Sequence, residues 1–412
     1  MTRDAHEEDR REPQGESDPS PEKEEQPEEE PQHPGWLTLA QVFNSEDPFF
    51  EKFLYLLGYD YSSNIYVIKG DYLTIVDPGN DYTGFMDLFQ LGYQPKDIKK
   101  IVLTHGHRDH CMGAFELLRA YPELAAGGGF ELILHPESPA ELKEVVKKFG
   151  CRVTEVKGGE TLELSGQEWE VLYTPGHTID GLSFYHEPSK TAFAGDTVIP
   201  QGMAEPDQNA GGRLDHYLFG VKVLLKKDIV NLLPGHGVPV AGLGNRVVEQ
   251  TYIGLMLKII GVEKEIPWID GAKALVSKGL LEEAIFCCDQ ELIRKSDNLM
   301  AMQLKAYCLT DLGRCAESLA LLHQILEQEK ENVFALTAAG HALLGMGNYQ
   351  ESITYFDRAL ALNPEFQDPQ MYKGMALYLS GKVDEAMDIE IFQKEFSQRI
   401  RQELDKKAMA ST

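Results

Sequence analysis

At 412 residues the chain is too long for one ordinary domain and long enough for two sizeable cores with tails. Its composition, 42% apolar and 25% charged, is that of a folded globular protein, and no stretch of about 18 apolar residues exists to cross a membrane. The formal net charge of -27 repels phosphate backbones, so the sequence argues against nucleic-acid binding.

Residues 1–34 predict a disordered acidic tail. They carry thirteen acidic and four basic residues, six prolines, and no large apolar residue beyond Met1. Such a segment cannot bury enough apolar surface to offset its chain entropy. We interpret it as a solvated spacer, with an interaction or solubility role as the alternative. Because it lacks the basic start and apolar run of a signal peptide, we expect a cytoplasmic protein.

Residues 35–262 predict an α/β domain, because short β-branched runs alternate there with turns and helical patterns. Several predicted strands end just before chemically reactive residues, in the segments YLTIVDPG, KKIVLTHGH, WEVLYTPGH, TAFAGDT and IVNLLPGHG. Side chains at strand ends converge on one rim of a sheet, while the strand bodies keep them rigid. This arrangement predicts an active site at the rim.

The stretch THGHRDHCMG, at residues 104–113, places His105, His107, Asp109 and His110 within six residues. Such a cluster costs stability unless something binds it, because several imidazoles and a carboxylate must be desolvated together. Alternate positions on a tight turn bring His105 and His107 together, while Asp109 and His110 face a second position nearby. The pattern predicts a metal site.

Later predicted strands supply further candidate ligands in the same kind of position. His177 lies in TPGHTIDG, Asp196 in FAGDT and His236 in LPGHG, each in a turn that contains glycine. Glycine lets the backbone approach an ion closely. Asp77 in IVDPG adds a carboxylate at another strand end.

In this order, across roughly residues 36–262, these motifs resemble the metallo-β-lactamase fold superfamily. The resemblance implies an αββα sandwich with a binuclear metal centre at one edge. It implies these ligands: His105, His107 and His177 for the first metal, Asp109, His110 and His236 for the second, and Asp196 as a bridge. Asp77 would lie behind the ligands and orient the turn by accepting hydrogen bonds. The expected cofactor is two divalent ions, zinc first, with iron and manganese as alternatives.

Two divalent ions about 3.5 to 4 Å apart can share a hydroxide that is nucleophilic at neutral pH, and can polarise a carbonyl or phosphoryl oxygen. As in proteins similar to glyoxalase II and lactonases, we expect hydrolysis of a small ester, thioester or lactone, with His107 and Asp109 essential for catalysis. One alternative is a compact endoribonuclease or phosphodiesterase of the same fold. Another is a non-catalytic interaction scaffold with a vestigial metal site. Residues 200–216, punctuated by glycine and proline, predict a lid.

Residues 263–400 predict an all-α repeat solenoid. Gly279, Gly313, Gly347 and Gly381 recur every 34 residues. A 34-residue period with a turn glycine is typical of stacked helix-turn-helix units. The unit VFALTAAGHALLGMGNYQESITYFDRALALNP resembles tetratricopeptide repeats at Gly340, Tyr349, Ser352, Phe356, Ala359 and Pro364.

The repeats offer a concave groove for a protein or peptide partner. The alternative is that they cover an apolar face of the hydrolase or pair with a second copy. Residues 401–412 are expected to be a flexible tail. The six cysteines contain no C-x-x-C pair, which fits reduced thiols.

Overall fold

A computed structural model of the chain describes residues 35–59, 61–200, 202–261 and 267–398. The predicted tails over 1–34 and 401–412, and the predicted boundary between residues 262 and 263, lie outside these ranges. In the part of the chain that is described, no helix is both long and apolar enough to cross a lipid bilayer.

Two β-sheets form the centre of the first domain. The seven-stranded sheet has the order β1 to β7: β1 Leu37–Thr38, β2 Phe53–Leu56, β3 Ile65–Lys69, β4 Leu73–Val76, β5 Ile98–Val102, β6 Glu131–Leu134 and β7 Arg152–Glu155. The five-stranded sheet has the order β12-β11-β10-β9-β8: β8 Thr161–Leu164, β9 Gln167–Tyr173, β10 Leu182–His186, β11 Thr191–Gly195 and β12 Asn231–Pro234.

Seven helices accompany these sheets along the chain. They are α1 Leu39–Phe43, α2 Pro48–Glu51, α3 Thr83–Gln90, α4 Arg108–Ala120, α5 Ala140–Lys148, α6 Leu214–Leu225 and α7 Gly244–Ile260. Buried side chains of α3, α4 and α5 pack on the outer face of the seven-stranded sheet. Those of α6 and α7 pack on the outer face of the five-stranded sheet.

Neighbouring strand residues serve different apolar layers because successive side chains point to opposite faces. In β4, Ile75 faces the helices while Val76 lies between the sheets. In β10, Phe184 lies between the sheets while Tyr185 faces α6 and α7. The layers are therefore helix, sheet, sheet, helix, which confirms the predicted αββα sandwich.

Parallel strands bring their carboxyl ends to one edge of each sheet. β4 and β5 are parallel neighbours, and so are β11 and β12. β9 and β11 both pair antiparallel with β10, so β9 runs in the same direction as β11 and β12. The segments that follow these five strands carry the candidate ligands and Asp77.

In the described part of the chain eight helices follow in four pairs, and residues 390–398 are helical as well, which confirms the predicted all-α repeats. They are α8 Trp268–Ser277, α9 Leu281–Arg294, α10 Leu299–Asp311, α11 Cys315–Gln328, α12 Val333–Gly345, α13 Tyr349–Leu362, α14 Gln367–Leu379 and α15 Val383–Met387. The 34-residue glycines lie between the two helices of each pair with φ between 73° and 88°. That left-handed conformation favours glycine, which explains the period.

The first repeats and the α/β domain share one apolar core. Buried residues of α6 and α7 cluster with buried residues of α8, α9 and α10. The Lys222 ammonium on α6 lies 2.9 Å from the carboxylate of Glu283 on α9, which is 4% exposed. The array therefore begins as part of the sandwich's outer helical layer.

All six cysteines are buried and unpaired. Cys111 lies in α4, Cys151 precedes β7, and the other four lie in the repeats. Their state agrees with the expectation of free thiols.

Candidate metal site

The seven candidate ligands lie together where the segments after four strands meet. His105 follows β5, and His107 is the residue immediately before α4. The tight turn predicted for this stretch is therefore shorter than expected, because Asp109 and His110 already belong to the first turn of α4. His177, Asp196 and His236 follow β9, β11 and β12.

The first group consists of His105, His107 and His177. The Nδ1 atom of His107 lies 3.1 Å from Nε2 of His105 and 3.0 Å from Nε2 of His177. Three ring nitrogens on three separate side chains thus face a common point. One ligand atom from each residue lies within 4.8 Å of the others, which suits a metal ion.

The second group consists of Asp109, His110 and His236. Asp109 Oδ2 lies 3.1 Å from His236 Nε2 and 3.5 Å from His110 Nε2. This group also has one ligand atom from each residue within 4.8 Å of the others.

Asp196 lies between the two groups. Its Oδ1 is 3.4 Å from His110 Nε2, and its Oδ2 is 3.7 Å from His177 Nε2 and 3.5 Å from His236 Nε2. One carboxylate therefore contacts histidines of both groups. Burial alone would raise the pKa of Asp196, but the charges of His110, His105 and His236 outweigh it and hold that pKa far below its usual range.

Hydrogen bonds fix the outer nitrogens of three of these histidines. The outer nitrogen of His110, Nδ1, lies 2.8 Å from Oδ2 of Asp77, and that of His177, Nδ1, lies 2.7 Å from the backbone oxygen of Glu205. The outer nitrogen of His107 is Nε2, which lies 3.1 Å from Oδ2 of Asp207. A neutral imidazole has one N–H, so each acceptor leaves the inner nitrogen free for a ligand.

Asp77 lies behind the candidate ligands. Besides His110, it accepts hydrogen bonds from the backbone N–H of Thr104 at 2.8 Å and from its hydroxyl at 2.6 Å. It is 2% exposed. Asp77 thus joins the end of β4 to the start of the histidine turn.

The site also fits a cation in its buried part. His110 Nε2 and Asp196 Oδ1 are buried, and neither has a properly oriented hydrogen-bond partner among the described residues. A Cβ atom on Gly235 would lie 2.2 Å from Asp196 Oδ1 and 2.7 Å from His110 Cε1, so glycine keeps this space open. A metal ion would satisfy both orphaned atoms.

Protons compete with any such ion. Burial would lower the pKa of His110, but the nearby carboxylates of Asp196 and Asp77 raise it well above its usual value. The pKa of His105 is lowered, first by burial and then by the charge of His110. Metal binding at His110 must therefore displace a proton.

The rim of the site faces solvent. The side chains of His107, Asp109 and His236 are 26%, 30% and 33% exposed. A metal held there can keep an open position for substrate, as catalytic rather than structural sites do.

Sequence reasoning did not identify Asp207. It is a half-buried aspartate in a loop that was predicted only as a lid, and its neighbour His107 lies 100 residues earlier. Arg213, at the end of the same loop, pairs with Asp215 through two hydrogen bonds of 3.0 and 2.7 Å.

Comparison with known proteins finds two family matches. Residues 58–236 match the model of the Metallo-beta-lactamase superfamily, and residues 337–391 match that of the Tetratricopeptide repeat. A hydroxyacylglutathione hydrolase from Yersinia enterocolitica is 33% identical over 128 residues, which are 31% of this chain and 43% of that protein. An atrochrysone carboxyl ACP thioesterase from Aspergillus aculeatus is 24% identical over 191 residues, 46% of this chain and 54% of that protein.

The chain thus spans about half the length of the curated relatives it matches. Among solved structures, a metallo-beta-lactamase family protein from Thermus thermophilus is 21% identical, with a TM-score of 0.41. That likeness covers 54% of this chain and 86% of the Thermus protein.

Proposed function

We propose that the chain is a metal-dependent hydrolase with a protein-interaction module, because residues 58–236 match the model of the Metallo-beta-lactamase superfamily and residues 337–391 match that of the Tetratricopeptide repeat. Its substrate is a small thioester, ester or lactone. One observation carries the proposal. Seven histidine and aspartate side chains converge in two groups that share Asp196, and two of their buried polar atoms have no hydrogen-bond partner within the described ranges.

In this proposal His105, His107 and His177 would hold one divalent ion, and Asp109, His110 and His236 would hold the second. The carboxylate of Asp196, which contacts histidines of both groups, would be shared between the two positions. Five histidines with two carboxylates suit zinc, and iron and manganese accept the same ligands. When bound, the ions supply a water of lowered pKa and polarise the substrate's carbonyl oxygen.

The residues of the chain provide orientation and access. Asp77 holds the Nδ1–H of His110 and so points its Nε2 inward. Asp109, which is partly exposed, lies beside His236 at the solvent-facing side of the site. The loop after Asp196 contacts His177 through the backbone oxygen of Glu205.

The named relatives favour a thioester among the candidate substrates. One is a thioesterase acting on an acyl carrier protein, and the other hydrolyses hydroxyacylglutathione. Neither of these named activities concerns a phosphodiester, so the endoribonuclease alternative has less support. The repeats support an interaction with another protein, whose identity the sequence similarity leaves open.

Metal analysis combined with a substrate screen tests the function. We expect about two transition-metal ions per chain in protein purified without chelators, and hydrolysis of model thioesters or lactones. His107→Ala and Asp109→Ala should each lower the rate by more than about 100-fold. Loss even of a residue that only hydrogen-bonds to a metal ligand can lower activity by up to about 100-fold. Circular dichroism should show a retained fold.

Asp215→Ala is the matched control, since Asp215 pairs with Arg213 outside both ligand groups. It should leave the rate unchanged. Absence of any transition metal in the wild-type protein would favour the scaffold alternative. Cleavage of RNA with no turnover of thioesters or lactones would favour the nuclease alternative.

A further inference from the structure

We propose that the loop of residues 202–213, hereafter the site loop, is a positioning element that fixes the ligands of the first metal position. Asp207 and the backbone oxygen of Glu205 would orient His107 and His177, so the loop would set the affinity of one ion and not of the other. This inference rests on the proposed function, because it concerns the same metal site.

The site loop contacts the rings of His107 and His177, in each case at the nitrogen that faces away from the ligand group. Asp207 Oδ2 lies 3.1 Å from Nε2 of His107, while Nδ1 of the same ring faces the ligand group. The Glu205 oxygen lies 2.7 Å from Nδ1 of His177, while Nε2 of that ring faces the group. The two rings thus use opposite nitrogens as ligands, and each acceptor in the loop matches the nitrogen that must carry the proton.

Backbone hydrogen bonds hold the site loop in register with these rings. The N–H of Asp207 donates to the carbonyl oxygen of His177 at 2.8 Å, and the N–H of Gly212 donates to that of Asp207 at 2.7 Å. Farther along, the N–H of Arg213 donates to the carbonyl oxygen of Gly176 at 3.0 Å. Glu205 also pairs with Lys258 on α7. The loop therefore has a fixed position relative to His177.

The solvent exposure of Asp207 indicates what its contact with His107 contributes. The Asp207 side chain is 35% exposed, and exposed ion pairs contribute little to folding. Its contact with His107 therefore contributes little to the stability of the fold. The contact instead fixes which nitrogen of His107 carries the proton and how the His107 ring is oriented.

The second group does not depend on the site loop. His110 is held by Asp77, which belongs to the turn after β4, and His236 contacts Asp109 on α4. Disturbing Asp207 should therefore affect the two metal positions unequally. Unequal weakening of the two metal positions would distinguish an orienting role of Asp207 from a general loss of structure.

Asp207→Asn is the decisive variant because it preserves size and reverses one hydrogen bond. The two carboxylate oxygens accept from the N–H of Asn209, at 2.9 Å, and from His107. An asparagine that keeps the first bond presents its NH₂ group to His107. That group can only donate, so the proton of His107 moves to Nδ1, the nitrogen that the metal needs.

We expect Asp207→Asn to retain one tightly bound ion and to bind the other about 10- to 100-fold more weakly in competition with a chelator. Nitrogen-15 NMR of the metal-free protein should show the ring proton of His107 on Nε2 in the wild type and on Nδ1 in the variant. Asp207→Ala, which removes the acceptor without adding a donor, should weaken the same ion. Asp215→Asn, the exposed control nearby, should match the wild type in both measurements.

Two tight ions of wild-type affinity in Asp207→Asn and Asp207→Ala would overturn this inference and leave the proposed hydrolase intact. Equal weakening of both ions would also overturn it, because that result indicates a general structural role. A wild-type protein that binds no metal would overturn the inference and the proposed function together.

Discussion

Asp77 illustrates how single residues prepare the candidate site before any ligand is bound. It has a φ of 50°, a left-handed conformation that aspartate tolerates better than most residues. In this position its carboxylate accepts from the N–H and the hydroxyl of Thr104 and from His110. The buried charge is thereby satisfied, and the orientation of His110 follows from it.

Gly235 gives a prediction at the same scale. In Gly235→Ala the new Cβ would collide with Asp196 Oδ1 and His110 Cε1, neither of which lies at the end of a long flexible chain. We expect metal affinity to fall at least about 10-fold, and the free energy of unfolding to fall by about 1 to 3 kcal/mol, as in other overpacked interiors. Metal content and thermal unfolding measure the two effects.

Gly254→Ala is the control for that substitution. Gly254 lies inside α7, and no atom lies within 4 Å of its added Cβ. Alanine should stabilise the helix by about 1 kcal/mol without affecting the metal. Two tightly bound ions in Gly235→Ala would show that the pocket around Asp196 can relax, contrary to this account.

The sequence predicted the candidate ligands better than it predicted the residues that hold those ligands in position. The seven candidate ligands follow strands in recognisable motifs, so their convergence could be predicted from topology. Asp207 lies in an irregular loop with no motif, and only the tertiary structure brings it to His107. Residues of that kind leave no local pattern to recognise.

At the scale of elements, the sequence did not predict the start of α4 at Arg108. His107 precedes α4 but makes no side-chain capping hydrogen bond, so the sequence offers no capping signal at that boundary. The stretch was therefore predicted as a turn, although its ligands lie partly on a helix. The repeats were easier, because positive-φ glycines mark the turn within each pair.

His341 connects two elements and gives a pH-dependent prediction. Its ring on α12 stacks on Tyr372 of α14, with centroids 4.3 Å apart. Burial lowers the pKa of His341, and Asp311 and Asp368 only partly oppose this. The unfolded chain therefore binds more protons than the folded one, so this contribution to stability is present above a pH of about 6.5 and is lost as pH falls below it.

The measurement compares melting temperatures of wild type and His341→Phe between pH 5 and 7.5. Phenylalanine keeps the stacked ring and removes the titration, so the difference between the two proteins should change with pH. Using this difference cancels the contributions of histidines in the first domain. Parallel pH profiles would assign the effect to another group.

At the scale of the whole molecule, the repeats are joined to the sandwich and are not merely tethered to it. Tyr252, Leu255 and Met256 of α7 are buried in the core that also contains residues of α8, α9 and α10. Glu283, buried on α9, pairs with Lys222 on α6. Sequence periodicity identified both architectures but could not show this contact, because it depends on surfaces far apart in the chain.

A truncation after residue 261 tests this junction. Exposing three large side chains would cost roughly 5 kcal/mol, so we expect the melting temperature of the first domain to fall by roughly 10 °C or more. A truncation after residue 331 keeps α8 to α11 and should preserve both the melting temperature and the metal content of that domain. Equal stability of the two shortened chains would show that the shared core contributes little.

The alkylation rates of the buried cysteines report local opening of the chain. Thiolates, not thiols, react with alkylating reagents, and burial raises the pKa of Cys111 and of Cys287 to about 12. Alkylation must therefore wait for local exposure of each thiol. Cys111 neighbours His110, and Cys287 lies on α9. Peptide mapping of iodoacetamide adducts over time would therefore reveal whether the candidate metal site or the junction with the repeats opens first.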